Sequence, residues 1–184
     1  MTADQVMPVG IVIERRESHH PWLDATWQPV AVIPHAPAIE APRPLVDGDG
    51  WSQVHAATLP IQLFKGETEG YVLNLSQAEK VVYVVLRADE EADSGLSPFL
   101  ATVCPFEASA YTESGEEIVR GVPMPAEIVH WLAAFVAEHH VEEPFRKRKN
   151  KKHRVEKEWT RPRGRFGPSM AEPAEPDVRK DRRK

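Results

Sequence analysis

The chain has one cysteine, Cys104, in 184 residues, so it can close no disulfide within itself and suits a reducing compartment. It also lacks long apolar runs. The longest, VVYVVL (81–86) and WLAAFVA (131–137), fall far short of the roughly 20 residues that a membrane-spanning helix needs. The first ten residues, MTADQVMPVG, carry no basic start and no apolar stretch, so a secretory signal is not expected. These absences point to a cytoplasmic protein without a transmembrane segment. Glycine is scarce, ten in all, and never gathers into a phosphate-cradling loop. The one GxG, Gly48-Asp49-Gly50, follows a proline-rich stretch and reads as a turn.

Basic residues are nearly absent from the first 144 positions, which hold 7 Lys and Arg against 22 Asp and Glu, a net of −15. From Phe145 onward the balance inverts, with 16 Lys and Arg against 6 Asp and Glu, a net of +10. The overall −5 therefore conceals an acidic domain, 1–144, followed by a basic, proline-containing tail, 145–184. The first part is long enough to bury a core. The tail has too few apolar residues for one, and disorder is expected there.

Within the domain, VGIVI (9–13) reads as a strand and 27–33 as a second, with Pro29 marking an edge or a bulge. Pro34, Pro37, Pro42 and Pro44 make the next segment a loop. Positions 54–65 and 71–75 both alternate, the second through Tyr71, Leu73 and Leu75, and suggest a β-hairpin across a turn at 65–70. VVYVVL reads as a central strand, 99–104 as another and 118–122 as a last short one. Pro105 and Gly115 bracket one or two helical turns. The segment 125–140 is the strongest helix: Ile128, Leu132, Phe135 and Val136 fall at i, i+4, i+7 and i+8, Pro125 fits its first position, and His139 and His140 close its last turn. The expected class is α+β, about six short, mostly antiparallel strands with one long C-terminal helix laid across a face.

The stretches PVGIVIERR, PWLDATWQPVAVIP, ETEGYVLNL, YVVLRA, CPFEASAYTESGEEIV and VPMPAEIVHWLAAFVAEHHVEEPFRKRK together resemble an uncharacterised bacterial family, the domain of unknown function family 3305, over nearly all of 7–152. The C-terminal block, with HHVEEPF and the basic run, is the most specific part. The resemblance implies genes lying beside those of molybdenum-dependent formate dehydrogenase, and for some members a label as a molybdopterin-guanine dinucleotide biosynthesis protein. It implies no established activity and no site residues. Cys104 stands where that pattern has a small residue.

Residue chemistry does not support the transferase label. Such an enzyme needs a Gly-rich loop between a strand and a helix, and Gly10 stands alone in VGIVIERRESHHP. Cys104, between Val103 and Pro105 at an apolar strand end, reads as a buried, unreactive thiol. Ser52 and Ser109 lie in no nucleophile motif. The pairs His19-His20 and His139-His140 are adjacent, so their side chains diverge, and no HxxxH or CxxC spacing exists; no metal or cofactor is expected. Trp22, Trp27, Trp51 and Trp131 read mainly as packing residues. Glu67, Glu69, Asp89, Glu90, Glu91, Asp93, Glu116 and Glu117 read as solvated loop charges.

The tail carries the candidate contact residues: Phe145 as an aromatic anchor, then Arg146, Lys147, Arg148, Lys149, Lys151, Lys152 and Arg154 as an electrostatic arm. A protein partner, RNA or DNA, an anionic membrane surface and the acidic domain itself all suit such an arm, and Trp159 and Phe166 could stack on bases. With the resemblance, the favoured expectation is a non-catalytic accessory protein that contacts a molybdoenzyme subunit. A nucleic-acid-binding protein acting through the arm is the alternative.

Overall fold

The computed structural model describes residues 2–18, 22 and 24–141. The candidate contact residues Phe145 to Arg154, the tail as a whole, and His19 and His20 lie outside the described residues. The described part corrects the expected class. It is predominantly β, with seven strands in two antiparallel sheets and three α-helices.

The first sheet has the order β2-β1-β4-β3 and the second the order β6-β5-β7. Strands β1 (Gln5–Glu17), β2 (Ala25–Pro34), β3 (Arg43–Gly48) and β4 (Trp51–Leu63) precede helix α1 (Thr68–Ser76). Then come β5 (Val81–Ala88), β6 (Leu96–Thr102), helix α2 (Pro105–Ser114), β7 (Ile118–Pro123) and helix α3 (Ala126–His139). β1 and β4 run 13 residues each, well beyond their apolar cores, because ladder hydrogen bonds carry the pairing through polar positions such as Glu14-Gln53 and Arg15-Ser52. The last helix, at 14 residues, is of ordinary length and does not dominate the architecture.

Two other expectations change. The hairpin across 54–75 is absent: after β4 the chain makes a single 3-10 turn, Lys65–Glu67, and enters α1. The buried residues of α1 are Thr68, Gly70, Tyr71 and Asn74, while Leu73 is exposed. The apolar alternation of Tyr71, Leu73 and Leu75 thus does not describe the buried face. The proline-rich segment is also not all loop, since β3 forms there as an exposed edge strand, the place where a sheet tolerates proline.

The remaining elements follow the patterning. Val82, Val84, Val85 and Leu86 are buried in β5, the central strand of its sheet. Gly115 caps α2 in the left-handed region at φ 71°, which glycine adopts without a Cβ penalty. Ile128, Leu132 and Phe135 of α3 are buried in the core, each worth about 1.5–3 kcal/mol on burial. Pro125 sits one place ahead of its expected position, as the cap of α3. One core cluster joins β1, β4, β5, α1 and α3, so both sheets share it.

Two bulges flank β1 in the first sheet, and a third register shift lies at Leu45 between β3 and β4. β1 keeps a constant phase, with Met7, Val9, Ile11 and Ile13 all facing the core. Opposite Val12, both neighbours carry one extra residue: Val30 between the partners of Val12 and Ile13, and Ala56 between those of Ile11 and Val12. Each extra residue flips the alternation of its own strand. On β4 the core side passes from Leu59, Ile61 and Leu63 to Ala56 and Val54, and on β2 it passes from Val32 to Trp27.

Candidate functional site

The bulges place Ile13, Trp27, Val54 and Ala56 side by side on one face at the far end of the first sheet. With Leu96 of β6 they line a cleft of about 590 Å3. Four carboxylates stand around it: Glu40 from the loop after β2, and Asp89, Glu91 and Asp93 from the β5–β6 loop. The lining contains no Lys or Arg.

The β5–β6 loop is held by its own hydrogen bonds. Asp89 N–H donates to Gly95 O at 3.0 Å, Gly95 N–H to Ala92 O at 2.8 Å, and Glu91 N–H to Asp89 Oδ1 at 3.1 Å. Ser94 Oγ donates to Leu96 O at 2.6 Å, and Gly95 takes the turn at φ 68°. The backbone that carries Asp89, Glu91 and Asp93 is therefore organised before anything binds.

The opposite face of the first sheet carries a different set of groups. Glu14 accepts from Gln53 Nε2 at 3.0 Å on one oxygen, and from Arg16 Nε and Nη2 at 3.1 and 2.8 Å on the other. The Gln53 bond, followed by those from Arg16, holds the Glu14 carboxyl below the ordinary carboxylate range. His55 is buried, with Nε2 3.0 Å from Thr58 Oγ1, and that hydroxyl donates to Pro37 O at 2.7 Å. Because the Thr58 proton is committed to the carbonyl, His55 Nε2 is the donor in this pair.

Several expected loop charges turn out to be engaged. Glu117 accepts from Arg87 Nε and Nη2 at 3.1 and 2.9 Å, and from Ser114 Oγ. The Ser114 bond, then the guanidinium, holds its carboxyl low. Arg87 also stacks on Phe99, its Cζ 3.3 Å from the ring centroid. Glu67 accepts from the Tyr71 hydroxyl at 3.3 Å.

The other singled-out residues separate clearly. Cys104 is buried, and desolvation pushes its thiol up, which disfavours the reactive thiolate. Trp27 and Trp131 pack against the core, and Trp131 Nε1 donates to Gln5 Oε1 at 2.7 Å. The Trp51 ring lies over Gly48, within 2.2 Å of where a Cβ would stand, and Trp22 is 88 % exposed. His139 packs edge-on against Phe135, whereas His140 Nδ1 lies 3.2 Å from Thr68 Oγ1 on another helix, so the pair diverges. Among the described residues no group of three or more His, Cys, Asp or Glu is placed to hold a metal ion. Among them, too, no helix is long and apolar enough to cross a membrane.

Sequence reasoning missed Glu40 and the meeting of the rim with Trp27. Pro29 hinted at the bulge on β2, but nothing in the sequence marked Ala56.

No curated protein and no solved structure matches this chain. The profile of a protein family of unknown function, DUF3305, matches residues 8–149. The chain belongs to that family.

Proposed function

We propose that this chain is a non-catalytic accessory protein of the cytoplasm that works by protein–protein contact. Its role on this reading is the maturation or assembly of a molybdenum-dependent formate dehydrogenase or a related molybdoenzyme. The observation behind the contact reading is the cleft, an apolar floor ringed by four carboxylates and no cation. Such a surface repels phosphate-bearing ligands and accepts apolar and cationic side chains. Elsewhere among the described residues Cys104 is buried, and Arg87 and Glu14 are bound to neighbours, which fits a binding role. The molybdoenzyme partner rests on the family resemblance alone.

A second reading is favoured by one feature of the sequence. Seven Lys and Arg between 146 and 154 can neutralise phosphates, so a nucleic acid could engage the arm while the domain at −15 stays clear of it. Affinity capture with the tagged full chain from native cells separates the two. The accessory reading expects enriched molybdoenzyme subunits that persist after nuclease treatment. Capture of nucleic acid alone, abolished by nuclease, would sink it in favour of the second.

A further inference from the structure

We infer that the cleft floored by Ile13, Trp27 and Val54 is the docking site for a cationic peptide segment of a partner protein, one that sets Arg or Lys around an apolar anchor. This rests on the protein-contact reading above and adds the chemistry of what is contacted.

Charge complementarity selects the sign of the ligand. Glu40 and the three carboxylates of the β5–β6 loop come from different parts of the chain and converge on one opening, with no Lys or Arg in the lining. The apolar floor selects its kind. Glu40, Glu91 and Asp93 are exposed, and an exposed ion pair contributes little by itself because water and salt screen it. A small cation held only by the rim would therefore bind weakly. A side chain buried on Ile13, Trp27 and Val54 supplies the missing attraction. At about 590 Å3 the cleft has room for an anchor and its flanking residues. The hydrogen-bonded β5–β6 loop holds the backbone of Asp89, Glu91 and Asp93, so little main-chain ordering is needed there on binding.

The test uses the full chain and a fluorescein-labelled peptide of about 12 residues, with four Arg around a central Leu-Trp pair. Fluorescence anisotropy at about 150 mM salt reads the affinity. The triple variant Glu40→Gln, Glu91→Gln, Asp93→Asn is expected to weaken binding about tenfold, because several rim charges are lost together. The control triple Glu69→Gln, Glu113→Gln, Glu116→Gln removes as much charge away from the cleft and is expected to weaken binding less than about twofold. Replacing the Leu-Trp pair by Gly-Gly should cost about tenfold or more. All six substituted side chains are exposed, so both triples should unfold at the same temperature as the unchanged chain. Equal loss from both triples, equal binding of the Gly-Gly peptide, or no binding at all overturns the proposal. A molybdoenzyme subunit captured undiminished by the cleft triple also overturns it, and leaves the protein-contact reading standing.

Discussion

Gly10 lies directly beneath the imidazole of His55: a Cβ at position 10 would stand 2.6 Å from His55 Nε2 and 2.9 Å from the Ala36 Cβ. The contact locks the loop after β2 onto the outer face of the first sheet, because Thr58, the hydrogen-bond partner of His55, also holds Pro37 O. Gly10→Ala must push His55 out of its bond or lift Ala36. The expected cost is about 1–3 kcal/mol, as for overpacking elsewhere. Urea unfolding measures it, and a double-mutant cycle with His55→Ala should recover part of the loss. A cycle showing no coupling between the two positions would refute the contact as the cause.

Asn74 is the polar clasp of the second sheet. It is 1 % exposed, and its Nδ2 donates to both Val81 O and Val103 O at 2.8 Å, while its Oδ1 accepts from Val81 N–H at 3.1 Å. Asn74→Ala strands three backbone groups and should cost about 2–4 kcal/mol. Asn74→Asp should be at least as damaging at neutral pH, since it turns a donor toward two carbonyls into an acceptor. A loss below about 0.5 kcal/mol in denaturant unfolding would mean that water replaces the clasp.

Glu14 and Glu117 give the fold an acid limb. Both carboxyls are held below their ordinary value, Glu14 mainly by Gln53 and Glu117 mainly by Ser114. A depressed folded pKa means a stabilisation present above the unfolded pKa and lost as pH falls through the folded one. Glu14→Gln and Glu117→Gln should therefore lower the urea midpoint at neutral pH, with the gap to the unchanged chain closing as the pH falls below the ordinary carboxylate range. A gap that stays constant with pH would show that shape, not charge, is what each substitution removes.

Local patterning was legible in the sequence where apolar residues alone decide the structure. The central strand β5 and the stripe Ile128, Leu132 and Phe135 on α3 belong to that class. The buried face of α1 did not show, because it is built from Thr68, Gly70, Tyr71 and Asn74, residues chosen for hydrogen bonds and close approach. Gly70 faces Cys104, whose Sγ would lie 2.7 Å from a Cβ there, a packing constraint that no periodicity reveals. The β-rich character was hidden because β1 and β4 continue through charged and polar residues whose backbones pair regardless of side chain. The rim of the cleft was visible only as scattered acids, since Glu40 and Asp93 are 53 positions apart in the chain.

The extra residues Val30 and Ala56 shift the phase of β2 and β4, while β1 between them keeps its own. Both ends of the sheet therefore face the core, and the end that carries Trp27 and Val54 also lines an opening. Deleting either residue would act like a reading-frame error confined to one strand, reversing which side chains beyond it look inward. Substitutions, by contrast, can retune the floor of the cleft one position at a time without disturbing the register that holds the molecule together.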